Sequence, residues 1–264
     1  MVDLALTLGG VVGVVLSGGF VYGEIGRFAT PQVPETLFDE RREVFAYTAG
    51  LFVGVPLALA LLFFLASMAN GALPGALLWL AALVGASEVA QWMLLRTRYW
   101  GTGESRPFYA LGYRAGIAGV LGLTVVAQYL SGSSIDGLGI GLVVLEAAAI
   151  LGLEVAGALL SLPPTEGTGR RTGGPLPGAV FGAFGFFLVG IAALSGVAGP
   201  TAEATTYASV IVALLGGALV YHRLRPMLAA VRAPSAGARS LGPSAPAAYG
   251  RTDRDRSAPP ARRE

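Results

Sequence analysis

The chain has 264 residues, of which 54% are hydrophobic and 13% charged, with a mean hydropathy of +0.65 and a formal net charge of +2. A soluble domain carries about 25% charged residues, so this composition indicates a multi-span membrane protein and gives nothing to a nucleic-acid partner. Cysteine is absent and His222 is the single histidine. Disulfides, iron–sulfur ligation and thiol catalysis are therefore excluded for this chain, as is a haem held by two of its own histidines. All 18 basic residues are arginine, so no lysine is present to form a retinal Schiff base.

Seven apolar stretches are long enough to cross a hydrocarbon core of about 30 Å, which takes about 20 helical residues. They run over 4–24, 44–68, 72–95, 108–131, 137–162, 176–198 and 205–222. Period-two alternation is missing, which argues against a barrel. The first stretch has no basic leader and no small-residue cleavage site, and is read as a retained helix. Glycine is frequent within the spans. The runs GGVVGVVLSGG (9–19) and GAVFGAFGFFLVG (178–190) present small faces of the kind that let helices approach closely in lipid.

The connections alternate in charge. Loop one (25–43) holds Arg27, Arg41 and Arg42, loop three (96–107) holds Arg96, Arg98 and Arg106, and loop five (163–175) holds Arg170 and Arg171. Loops two, four and six contain no arginine. The positive-inside rule then places loops one, three and five and the C-terminus in the cytoplasm, and the N-terminus outside. The expected fold is an all-α bundle of seven transmembrane helices over 1–225, multi-pass in the cell membrane, with a disordered basic cytoplasmic tail over 226–264.

A short repeat runs through the spans. Tyr47, Ala49 and Gly50 match Tyr113, Ala115 and Gly116 at an offset of 66, and the same offset carries Glu88-Val89-Ala90 onto Glu154-Val155-Ala156. Glu24 occupies the corresponding place in helix one. The pattern suggests a two-helix unit repeated in parallel orientation. Chance matches in apolar sequence are the alternative.

Polar residues inside the spans are the candidate site, because each charged one costs roughly 2.5–3.5 kcal/mol on insertion scales and so faces the bundle or water. Helix three carries Glu88 and Gln91, helix four Arg114 and Gln128, and helix five Glu146 and Glu154. At 1.5 Å per residue, Glu88 and Arg114 both lie about 10 Å from the inner ends of their helices, with Glu154 near that level. Gln91 and Trp92 follow Glu88 on one helical face. Charges at one depth should pair, so Arg114 is expected to bind Glu88, Glu154 or both. Glu146 sits nearer mid-membrane with no basic partner, and is the candidate proton carrier. Tyr99 and Trp100 are read as interfacial belt aromatics. Such a polar network is consistent with a purely structural role, with a proton or quinone site, or with a substrate or ion path.

The segment GGFVYGEIGRF (18–28), with Gly23-Glu24-Ile25-Gly26-Arg27, resembles the terminal helix of the hydrophobic anchor subunit of dimethyl sulfoxide reductase, in the polysulfide-reductase anchor family. The stretch from Arg114 to Glu154 is similar to that family's closing pair of helices. The resemblance implies a membrane subunit that oxidises a quinol without haem and passes electrons to a docked iron–sulfur subunit. Family members have eight helices rather than seven, and carry the Gly-Glu-x-Gly-Arg motif at the end of the chain. A proton-coupled transporter or channel, and a receptor or assembly factor acting through its tail, are the other functions the sequence admits. A soluble redox subunit or a second copy of the chain is the partner expected besides the bilayer.

Overall fold

A computed structural model describes the backbone of residues 2–28, 38–100, 106–132, 137–162, 175–195 and 200–224. Seven helices follow in order: α1 (Val2–Phe28), α2 (Glu40–Ala69), α3 (Leu73–Arg96), α4 (Arg106–Gly132), α5 (Gly137–Leu160), α6 (Pro175–Ser195) and α7 (Pro200–Leu224). All seven are long and apolar enough to cross a membrane, and all fall within one compact unit. The seven-span, all-α reading of the sequence therefore holds. The expected tail at 226–264 lies outside the described residues.

The helix ends are set by local chemistry. Asp39 caps α2, its side chain accepting from the Arg41 backbone N–H at 2.9 Å. α2 therefore starts at Glu40, four residues before the predicted 44, and this draws Glu43 into the helix. Gly71, at φ +67°, makes the tight turn between α2 and α3, and Pro74 opens α3, where a missing N–H costs nothing. A single 3-10 turn, Arg98–Trp100, follows α3.

α4 lies at the centre: 83% of its span is buried, against 22% for α1 and for α7. Small residues make that position possible. Side chains at Gly9 and Gly13 of α1 would collide with the α4 backbone at Leu123 and Gly119, so the antiparallel pair packs backbone to backbone. α2 runs parallel to α4 and crosses it at Gly50 and Gly116. A side chain at Gly50 would strike the Tyr113 carbonyl, and one at Gly116 would strike the Tyr47 carbonyl. The repeated Tyr-x-x-Gly segments thus meet each other, reciprocally, about a local two-fold axis. On the far side α5 packs on α4 and α7, with Gly152 against Gly217.

Candidate functional site

Arg114 projects from the central helix at a level where α3 and α5 flank it, and four acceptors converge on its guanidinium. Nη2 donates to Glu88 Oε1 at 2.6 Å and Nη1 to Glu154 Oε2 at 2.8 Å. Nε donates to Gln91 Oε1, and Nη1 also donates to Ser87 Oγ. Gln91 in turn donates through Nε2 to the Ala158 carbonyl at 3.5 Å. Arg114, Glu88, Glu154, Gln91 and Ser87 are all buried. Both expected carboxylates therefore pair with Arg114, and Ser87 is a partner the sequence reading missed. Its signal was present, since it directly precedes Glu88 and sits one turn from Gln91 on the same face.

The pair of carboxylates and one guanidinium form a buried salt-bridged trio, one edge of which, at Glu88, borders a cleft. A planar guanidinium can serve several acceptors at once, which a lysine ammonium at this position could not match in geometry. A narrow void beside the trio, about 10 Å³, touches Ser87, Glu88, Arg114 and Glu154 and closes against Gly178, Gly182 and Phe186 of α6. It has about the volume of one water probe.

Glu88 also borders a second and larger space. A cleft of about 290 Å³ opens at the end of the bundle where α3 and α5 finish. Its apolar wall is Trp92, Leu95, Leu162 and Pro175, and its polar groups are Glu88, Gln91, Arg96, Arg106 and Ser161. Arg96 lies over the Trp92 ring, 4.8 Å from its centroid. Arg106 Nε is buried without a hydrogen-bond partner among the described residues. The cleft therefore offers N–H donors, an apolar wall and a carboxylate at its base.

Other expected residues fall elsewhere. Glu146 on α5 is 0% exposed, and neither of its oxygens has a hydrogen-bond partner among the described residues. It stands eight residues from Glu154, about 12 Å along the helix, and so lies outside the trio. Gln128 is exposed. Glu24 does not join Arg114; its Oε1 accepts from Tyr221 on α7 at 2.9 Å. Trp92 is 55% exposed rather than turned inward with Glu88 and Gln91, because its position lies on the cleft edge of α3. The belt reading fits Tyr99, which is exposed beside Arg42, but not Trp100. Trp100 is 2% exposed and packs on Phe45 and Tyr109, because the 3-10 turn folds it back under the helix ends.

Among the described residues no group of three or more His, Asp or Glu is placed to hold a metal ion. The fold and the buried charge cluster define an all-α, multi-pass integral membrane protein. No family model matches the chain, and no curated protein or solved structure is found similar to it.

Proposed function

We propose that the cleft above Arg114 takes a quinone headgroup, and that the chain serves as a non-haem membrane subunit that binds quinone for a redox partner. The observation that carries this reading is the position of Glu88, which is at once a wall of the cleft and a partner of Arg114. A quinone ring is apolar on its faces and presents two carbonyl acceptors. The apolar wall suits the faces, and Arg96, Arg106 and Gln91 supply donors for the carbonyls. On oxidation, a quinol releases two protons with its two electrons. Glu88 would accept one proton from a quinol hydroxyl, the other would leave to water through the open mouth of the cleft, and Arg114 would hold the remaining negative charge of the trio in place. The electrons would pass to a metal-containing soluble subunit, as the anchor-family resemblance implies.

The cleft contains Trp92, so its indole reports on binding directly. Saturable quenching of tryptophan fluorescence by a short-chain quinone is expected, and it should weaken in Glu88→Leu. Quinone should also be recovered in the lipid extract of protein purified in mild detergent. If the extract holds no quinone and quenching is linear and unaltered by Glu88→Leu, the reading is wrong.

A second reading, proton-coupled transport, rests on Glu146. A buried carboxyl with no partner is suited to carrying a proton through apolar surroundings. Proton-driven solute flux in proteoliposomes, abolished by Glu146→Gln with Glu88→Leu still active, would favour it over the quinone site.

A further inference from the structure

Positive charge gathers at the mouth of the cleft. Arg96, in the last turn of α3, and Arg106, the first residue of α4, both line it. The ion pairs among the described residues include neither of them. Arg106 Nε is buried with no acceptor there, and an N–H withdrawn from water calls for one. Glu88 is the acidic residue of the described cleft wall, but it is already paired with Arg114 at 2.6 Å. It also stands eight residues from Arg96, about 12 Å deeper along α3. Helix dipoles do not supply the balance. The first residues of α4 and α6 meet the ends of α3 and α5 at this cleft, so their opposite poles offset each other.

Below the mouth, α3 turns an apolar track outward. Val89, Trp92 and Met93 are exposed, and with Arg96 they share one face by i, i+3, i+4 and i+7 spacing. The Arg96 guanidinium lies over this track, 4.8 Å from the Trp92 ring centroid. A charged head above an apolar track at the end of a span suits the boundary between headgroups and hydrocarbon.

We propose that the mouth of the cleft binds the phosphodiester of an anionic phospholipid, held between Arg96 and Arg106, with its acyl chains laid along Val89, Trp92 and Met93 of α3. A guanidinium donates two parallel N–H bonds to phosphate oxygens, so the two arginines can grip one phosphate from two sides. At about 290 Å³ the cleft is at the small end for a ligand pocket, so it takes the headgroup and leaves the chains outside. Inorganic phosphate would meet the same arginines but gain nothing from the apolar track, which selects the lipid. The phosphate takes N–H groups that a quinone carbonyl would otherwise use. Competition between anionic lipid and quinone therefore follows, and that consequence alone rests on the quinone reading.

Dioctanoyl phosphatidylglycerol, dioctanoyl phosphatidylcholine and inorganic phosphate, each titrated into the full chain in mild detergent and read by tryptophan fluorescence, test the proposal. Phosphatidylglycerol is expected to saturate, about tenfold or more tighter than phosphatidylcholine at low salt. Arg96→Gln and Arg106→Gln should each weaken it about tenfold. Arg41→Gln, at an exposed arginine outside the cleft, should leave it unchanged. Glu88→Leu, expected to weaken quinone, should leave phosphatidylglycerol binding unchanged or tighter. Saturable phosphatidylglycerol binding by a protein that binds no quinone supports the lipid site and removes the quinone reading. Equal affinity of the wild type for the two lipids overturns the proposal, whatever the variants do. Inorganic phosphate binding as tightly as phosphatidylglycerol makes the mouth a free-anion site and overturns it too. So does a loss in Arg41→Gln as large as in the cleft variants, which would reduce the effect to general charge attraction.

Discussion

Arg114 has five N–H groups to satisfy inside the bundle, and side chains from two neighbouring helices accept from it. Removing the guanidinium leaves two carboxylates facing each other in a low dielectric. Arg114→Leu is therefore expected to cost about 3–5 kcal/mol, read as a fall in the unfolding midpoint in detergent. Combining it with Glu88→Gln and Glu154→Gln should recover most of that loss, since the charges then vanish together; a triple variant as unstable as the single one would refute the charge argument. Glu146 makes the opposite case. Its oxygens have no hydrogen-bond partner among the described residues, so Glu146→Leu should leave the midpoint unchanged or raise it. A clear drop would mean that its carboxyl has a partner in the bilayer. The sequence marked Arg114, Glu88, Glu154, Gln91 and Glu146, because intramembrane polar residues are costly. It misplaced Glu43, because a charged residue beside an arginine-rich segment reads as loop until the helix start is known.

Helix packing turns on the same few small residues. The α2–α4 crossing places Gly50 and Gly116 in mutual contact, each beneath the other segment's tyrosine carbonyl. Gly50→Leu or Gly116→Leu should separate the two helices and cost about 1–3 kcal/mol or more, seen as lost monodisperse protein. Gly19→Leu is the control: nothing lies within 4 Å of a side chain added there. Equal damage from the control would show that glycine content rather than contact matters. The repeat is also asymmetric in detail. Tyr47 Oη hydrogen-bonds with Ser17 Oγ at 3.1 Å, whereas the Tyr113 hydroxyl is buried without a partner among the described residues. The offset of 66 was visible in the sequence. That its two copies touch each other was not, because similarity says nothing of who packs on whom.

At the scale of the whole molecule, the turn between α2 and α3 and the 3-10 turn after α3 sit at opposite ends of one helix. The arginine distribution assigns the second to the cytoplasm. The absence of cysteine makes this directly testable: a cysteine replacing Asn70 should react with an impermeant maleimide added outside intact cells, and one replacing Tyr99 only after the membrane is opened. The reverse pattern would show that loop arginines do not orient this chain.

Span number, helical class and the identity of the intramembrane polar residues were determined by the sequence alone. Those features are local: a long apolar run can satisfy its backbone in lipid only as helix, and every charge within it is conspicuous. The tertiary structure decided which helix is central, that Glu88 and Glu154 share one arginine, that Trp100 is buried, and that Glu43 is buried against Gly112 of α4. Each of these is a contact between distant segments. It is set by where glycines let backbones meet, and a one-dimensional pattern of polarity does not carry that information.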